Sequence, residues 1–401
     1  MNKYFYPLIE DPFSNNDISE GIKVLKSKQL TISKKTVNFE KDFSSSLKSK
    51  YSLMVNSGSS ANLLALQCLI NPYRKNRLKA GDEVIIPTLC WSTSLWPIIQ
   101  SNLKPVFVDI NPLTLNIDES EVEKKITKKT KAILLVHVLG NSCDMDQIMK
   151  IKKKHNLILI EDTCESLGSK YNDKYLGTFG EFSSFSFYSS HQISSGEGGM
   201  ICCKDKVDYN IIKSLRSHGW SRGTSFENTI YKSNKRLDKR FIFFNSGYNL
   251  RPTEVSAAIG HNQFKRLNKF ISIRNFNKKK IILSMKKNMI INKKIDFYYE
   301  NKNVTPSWFG LPIKILVNKK KYKNIIIKKL EKNGIETRPI ISGSFVNQPA
   351  VKLYKLNKKN EKFKVAQKVQ DLGFLIGLHT NRISKRKLQL IHDALFEINR
   401  I

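Results

Sequence analysis

The sequence has no C-x-x-C pair. Its cysteines, Cys68, Cys90, Cys143, Cys164, Cys202 and Cys203, fall mostly inside apolar runs. That pattern suits reduced, buried thiols in a reducing compartment, and it excludes a disulfide scaffold or a metal site built on paired cysteines. Long hydrophobic runs are missing as well: none approaches the roughly 18 residues that a membrane span needs. The start of the chain, MNKYFYPLIEDPF, lacks the basic, apolar, small-residue order of a signal peptide. A cytoplasmic protein with no membrane partner and no bound metal is expected. Acidic residues are scarce, 34 Asp and Glu against 69 Lys and Arg, for a formal net charge of +35. Such an excess can mark nucleic-acid binding. Here the lysines are spread along the chain in short runs such as Lys278–Lys280 and Lys319–Lys321, and no zinc-finger spacing or aromatic RNA-binding strand accompanies them. The excess reads as a solvated basic face without a nucleic-acid partner. Its positive field would favour encounter with a diphosphate-bearing substrate.

What is present is an alternation. Short apolar runs, LMV at 53–55, EVIIP at 83–87, PVFVDI at 105–110, KAILLVHVLG at 131–140 and LILIED at 157–162, are separated by helical patterns such as IDESEVEKKI and MDQIMKIKKKH. Continuous apolar strands alternating with helices predict an α/β fold with a mostly parallel sheet covered on both faces. FSSFSFYS at 182–189 and GGMICC at 198–203 add strands around a glycine turn. Residues 1–50 are polar and weakly patterned and read as an N-terminal arm. A large domain is expected over 51–270. A smaller α+β domain is expected over 271–401, where FGLPIKI reads as a strand and KNIIIKKLEKNG as a helix ending at Gly334.

Three segments carry polar residues where apolar elements end. In Asn56-Ser57-Gly58-Ser59-Ser60-Ala61-Asn62 a strand gives way to a helix through two small residues. Free N–H groups and hydroxyls there suit a phosphate, although serine is also an ordinary helix cap. Glu161-Asp162-Thr163-Cys164-Glu165-Ser166 follows a buried strand, at the sheet edge where open α/β folds bind ligands. A carboxylate there needs a cation, or else caps a helix. The third segment is SFYSSHQISSGEGG, residues 186–199.

Taken together, SGSSAN, EDTCES, SFYSSHQISSGEGG, SGYNLRPTE and GIETRPI give the chain a resemblance, over nearly its whole length, to the nucleotide-sugar aminotransferase family of fold-type I, vitamin B6-dependent enzymes. The resemblance implies the aspartate aminotransferase-like fold and pyridoxal 5′-phosphate or pyridoxamine 5′-phosphate as cofactor. Most members carry a lysine at the position of His191, and it holds the coenzyme covalently. Nothing nearby replaces it: residues 175–203 contain no Lys or Arg, where this composition would give about five. A histidine at this place is similar to the sugar 3-dehydratase branch. Those enzymes use free pyridoxamine phosphate to remove the C3 hydroxyl of a nucleotide-linked 4-keto sugar, and L-glutamate restores the amine. A ring titrating near neutrality can both take and deliver a proton. Some members of that branch bind an iron–sulfur cluster through a cysteine-rich loop. The corresponding residues 216–249 hold no cysteine, so no cluster is expected.

The resemblance then implies roles for individual residues. Gly58, Ser59 and Ser186 would hold the cofactor phosphate. Asp162 would pair with the pyridine nitrogen, Glu165 would sit by the ring hydroxyl, and Trp91 would stack on the ring or else pack a core. Asn249 would reach the phosphate of a neighbouring subunit, which implies a homodimer. His218 and Arg251 would hold L-glutamate. Arg222, Glu336 and the stretch Lys28, Gln29, Leu30, Thr31 would contact the nucleotide sugar, or else remain solvated surface charge. The wording HGWSR, SGYNLRPTE and SWFG points to GDP-4-keto-6-deoxy-D-mannose as substrate and a 4-keto-3,6-dideoxy sugar as product. An aminotransferase of the same family and an inactive sugar-binding relative are the competing readings.

Overall fold

The protein is described from a computed structural model that covers residues 4–287, 294–317, 320–357 and 361–397. Its large sheet is built from the apolar runs read in the sequence: β1 Tyr51–Val55, β2 Glu83–Pro87, β3 Lys104–Val108, β4 Thr130–Val136, β5 Ile158–Asp162, β6 Phe182–Ser186 and β7 Gly199–Cys203. Their order across the sheet is β1-β7-β6-β5-β4-β2-β3. Every neighbouring pair is parallel except those of β7, which runs antiparallel to both β1 and β6. Buried residues such as Ile133, Leu135, Leu159 and Ile160 fill both faces of the central strands, as a sheet covered on both sides requires. The carboxyl ends of β1, β5 and β6 therefore lie along one edge.

Two of the sequence-read strands end at least three residues early. The run at 131–140 leaves the sheet after Val136 and turns through Val138–Gly140, with Leu139 and Gly140 at φ 54° and 94°. A Cβ at Gly140 would stand 2.2 Å from the Ser307 carbonyl oxygen, so this glycine allows the small domain to approach. The run at 182–189 ends at Ser186, because Tyr188 N then bonds Ser186 Oγ and His191 N bonds Tyr188 O, closing turns in place of a ladder.

The first fifty residues, polar on average, fold into helices Asn15–Ser27 and Lys34–Leu47 that pack on helix Glu254–Phe264. Ser14 and Asp17 form a capping box at the first helix. Phe39, Phe43 and Leu47 of the second stand a helical turn apart and are fully buried near Phe185, Phe187 and Phe264. Helix Leu267–Lys287 runs across the expected boundary near residue 270. The small sheet is antiparallel, with strands Ile295–Phe297, Gly310–Ile315, Gly373–Gly377 and Thr337–Arg338 in that spatial order. Helix Lys320–Lys332 precedes Gly334, which takes a left-handed φ of 79°. All six cysteines are free, five buried and Cys164 half-buried. Among the described residues no helix is long and apolar enough to cross a membrane.

Candidate active site

A cavity of about 480 Å³ opens at the carboxyl ends of β1, β5 and β6, with the small domain closing its far wall through Phe309, Gly310, Arg338 and Leu375. The structure brings Gly58, Ser59, Trp91, Asp162, Glu165, Ser186 and His191 to its lining.

One corner is the N-terminus of helix Gly58–Leu69, capped by Ser57 Oγ accepting from Ser60 N. Its first N–H groups have no intrahelical acceptors. Gly58 has no room for a side chain: a Cβ would meet Cys164 Sγ and Ser186 Cβ at 2.7 Å each. Ser59 Oγ bonds Thr93 Oγ1, and Ser186, at the end of β6, stands opposite. Bare helix N–H groups beside hydroxyls, with backbone able to approach closely, are what a phosphate needs.

Asp162 ends β5 and is buried. Its carboxylate accepts from Asn62 Nδ2 and Ser94 Oγ at 2.7 Å each, from Cys164 N at 3.2 Å and from Ser184 Oγ at 3.3 Å. These donors orient the group but carry no charge. Among the described residues no Lys, Arg or His forms an ion pair with it. A buried carboxylate in that condition is costly unless a cation arrives with the ligand. Glu165 accepts from Leu139 N. Burial, helped by the nearby Asp162 charge and opposed by that N–H, pushes its carboxyl up to about 7. Trp91, at the N-cap of helix Ser92–Gln100, is 57% exposed and lines the cavity; among the described residues its ring forms no aromatic or cation–π pair, which leaves a large apolar face.

His191 lies on the irregular segment between β6 and β7. Its Nδ1 bonds the Cys164 carbonyl at 2.5 Å. A carbonyl can only accept, so Nδ1 carries the hydrogen and Nε2 keeps its lone pair. Nε2 has no hydrogen-bond partner among the described residues. The ring packs at 5.2 Å from the Phe309 ring. Burial pushes the imidazole down to about 4; the Cys164 carbonyl and the Asp162 charge oppose this, and Arg274 adds to it. The imidazole is therefore neutral at neutral pH. Among the described lining residues there is no lysine.

The remaining sequence candidates stand elsewhere on the single chain. Asn249, Arg251 and His218 cluster on the surface, with Arg251 Nε donating to Asn249 Oδ1 at 3.1 Å and Arg251 Nη2 standing 3.1 Å from His218 Nε2. His218 holds a left-handed φ of 61°. Arg222 is exposed, as are Lys28, Gln29, Leu30 and Thr31, where Leu30 O accepts from Glu254 N. Glu336 lies outside the lining; its carboxylate accepts from Leu8 N at 2.9 Å and faces Arg338 at 3.9 Å, tying the N-terminal segment to the small domain. Sequence reasoning passed over Asn62 and Ser94, which hold Asp162, and Phe309 and Arg338, which close the cavity. Asn62 sits in a quoted motif, and its place one helical turn beyond Gly58 was the available signal. Phe309 and Arg338 likewise sit in the quoted SWFG and GIETRPI segments, whereas Ser94 lies in none of them.

The sequence matches the profile of the DegT/DnrJ/EryC1/StrS aminotransferase family over residues 13–395. It is 36% identical over 376 residues to GDP-4-keto-6-deoxy-D-mannose 3-dehydratase of Escherichia coli O55:H7, a match covering 93% of this chain and 95% of that one. Among solved structures, E. coli GDP-4-keto-6-deoxy-D-mannose-3-dehydratase with bound hydrated PLP superposes with a TM-score of 0.90 at 35% identity, covering 98% of this chain and 99% of that one. GDP-4-keto-6-deoxymannose-3-dehydratase with a trapped PLP–glutamate geminal diamine gives a TM-score of 0.89 at 35% identity, covering 97% of this chain and 100% of that one. Since these matches take in the large sheet, the His191 segment and the small domain alike, the chain belongs to the DegT/DnrJ/EryC1/StrS aminotransferase family.

Proposed function

We propose that the chain is a vitamin B6-dependent sugar 3-dehydratase. It removes the C3 hydroxyl of a nucleotide-linked 4-keto-6-deoxyhexose, GDP-4-keto-6-deoxy-D-mannose, to give the 4-keto-3,6-dideoxy sugar, with L-glutamate regenerating pyridoxamine phosphate. The observation that carries this reading is the imidazole of His191. It lines the cavity with an Nε2 that has no hydrogen-bond partner among the described residues, and none of the described lining residues is a lysine that could tether an aldehyde. That arrangement disfavours the aminotransferase reading.

The cavity fits the coenzyme. Gly58, Ser59 and Ser186 would take its phosphate, Asp162 its protonated pyridine nitrogen, Glu165 its ring hydroxyl and Trp91 its face. Bound there, the coenzyme would supply an amine for the ketone and an electron sink. Asp162 strengthens that sink by holding a negative charge that only uncharged groups otherwise contact. Glu165, with a carboxyl titrating near neutrality, can share a proton with the ring hydroxyl. The Cys164 carbonyl fixes the His191 tautomer, so Nε2 is presented as the acceptor. Nε2 takes a proton and, once charged, delivers it to the C3 oxygen of the sugar. Phe309 packs against the ring and adds to the burial that favours a neutral base.

His218 and Arg251 would hold glutamate; Arg222, Glu336 and Lys28 to Thr31 would hold the nucleotide sugar. Several of these lie exposed and away from the cavity of their own chain, in keeping with a homodimer in which Asn249 reaches the neighbour's phosphate. Six unpaired cysteines suit a cytoplasmic enzyme. The test is mass spectrometry of the products formed from GDP-, CDP- and dTDP-linked 4-keto-6-deoxyhexoses with pyridoxamine phosphate and glutamate. The GDP-linked sugar is expected to lose one oxygen, with 2-oxoglutarate formed. An amino sugar, or no product from any of the three, would overturn the reading.

A further inference from the structure

His191 sits on a segment with no regular secondary structure, yet the residue is held from two sides, its ring by one contact and its backbone by another. One hold is the Cys164 carbonyl on Nδ1. The other comes from helix Leu267–Lys287. Arg274 of that helix is 7% exposed. Its Nη2 donates to the His191 carbonyl at 3.0 Å, and its Nε donates to the Leu378 carbonyl at 3.1 Å, just past strand Gly373–Gly377. Its Nη1 is buried with no hydrogen-bond partner among the described residues. No carboxylate forms an ion pair with it among those residues. An uncompensated buried guanidinium is destabilising, so a packing role would be served better by an apolar side chain. What the guanidinium supplies is a planar fork whose separate N–H groups address two carbonyls at once. One carbonyl belongs to the segment bearing the candidate base and the other to the small domain. Asn277, three residues on, donates to the His379 and Asn381 carbonyls, so the same helix also holds the small-domain side of this junction.

We infer that Arg274 is a positioning residue: by bridging the His191 and Leu378 carbonyls, it sets where the imidazole stands over the cavity and couples that position to the small domain. The inference rests on the dehydratase reading for its consequence in turnover, but the placement of the ring can be read without turnover. The charged and titratable groups around the imidazole are Asp162 at the end of β5, Cys164 and Glu165 just past it, Tyr188 and Glu197 on its own segment, Arg274 and Arg338 from the small-domain side, and Glu10, Asp11, Asp17, Arg266 and His379 around a second cavity that His191 also lines.

Two variants separate geometry from charge. R274K keeps the positive charge but has one nitrogen for two carbonyls. R274Q loses the charge and the fork, leaving one amide nitrogen on a shorter stem. Displacing a reacting group by about 1 Å costs on the order of 100-fold in rate. Both variants are therefore expected to lose about that much in kcat, with KM and coenzyme Kd each within about threefold of the native enzyme. The acid limb of the kcat profile should move to higher pH in R274Q, where a cation no longer opposes protonation, and stay in place in R274K. Millimolar guanidinium should restore part of the turnover of R274A, whereas methylammonium should not. In coenzyme-free protein labelled with 15N-histidine, the native chain should show a slowly exchanging Nδ1–H for His191, identified by its absence from H191N, and R274Q should lose that protection. A native Nδ1–H signal in R274Q, or kcat losses that track coenzyme Kd and resist guanidinium, would overturn the role of Arg274. If the native enzyme proves inactive on every 4-keto sugar, the dehydratase reading fails, and the exchange measurement still decides the positioning.

Discussion

Replacing His191 with asparagine should change how stability depends on pH, and the structure gives the sign and size. Burial pushes the folded-state imidazole from 6.5 down to about 4. Between those values the unfolded chain binds the proton and the folded chain does not. Stability from this group is therefore full above pH 6.5 and is lost as pH falls toward 4. At about 1.36 kcal/mol per pKa unit, the span corresponds to about 3 kcal/mol, of which roughly 2–3 kcal/mol falls between pH 7.5 and 4.5. Glu165 acts in the opposite sense. Its carboxyl is raised from 4.5 to about 7, so the folded chain holds a proton that the unfolded chain has released. Its contribution is present below pH 4.5 and is lost as pH rises through 7. The native protein should show little net slope from the pair, because the shifts are similar and opposed. Urea unfolding of the coenzyme-free chain at pH 7.5, 6.5, 5.5 and 4.5 reads both. As pH falls, H191N should gain on the native protein by about 2–3 kcal/mol, and E165Q should lose to it by a similar amount. An H191N-to-native difference that stays flat with pH would refute the claim that this imidazole is buried and neutral.

Gly58→Ala places a Cβ 2.7 Å from Cys164 Sγ and Ser186 Cβ; overpacking of that kind costs about 1–3 kcal/mol. A lowered melting temperature together with weaker coenzyme binding is expected, and a variant with native values for both would contradict the cradle. Asp162→Asn keeps an acceptor for Asn62 and Ser94 but removes a buried charge. Coenzyme affinity should fall by about 10- to 100-fold while the coenzyme-free chain unfolds at the native urea concentration or higher; a less stable chain with native affinity would be the contrary result. His191→Lys should abolish dehydration and let borohydride fix the coenzyme to the protein, whereas the native chain treated alike should yield no pyridoxyl peptide by mass spectrometry.

The sheet was legible because its strands are buried on both faces and most read as apolar runs; only β6, FSSFS, mixes phenylalanine with buried serine. For the same reason the ends of those runs marked Gly58, Asp162 and Ser186. The strand read through Ser189 was too long because Phe187 and Tyr188 continue the pattern, while the turn that ends the strand is made by the Ser186 hydroxyl. The N-terminal helices were hidden by their composition: Phe39, Phe43 and Leu47 form one buried row among polar neighbours. Arg274 and Ser94 act on His191 and Asp162 across 83 and 68 positions of sequence, a separation no local pattern bridges. Asn249, His218 and Arg251 cluster on the surface of the single chain, so their proposed roles depend on a second subunit.

The central claim is that the imidazole of His191, and no lysine, moves the proton. Its most direct test is a single turnover of GDP-4-keto-6-deoxy-D-mannose on protein loaded with one equivalent of pyridoxamine phosphate, with the products weighed by mass spectrometry. The native protein should release close to one equivalent of the sugar lighter by one oxygen, and H191N, still binding the coenzyme, should release none. Native-rate formation of that sugar by H191N would contradict the account.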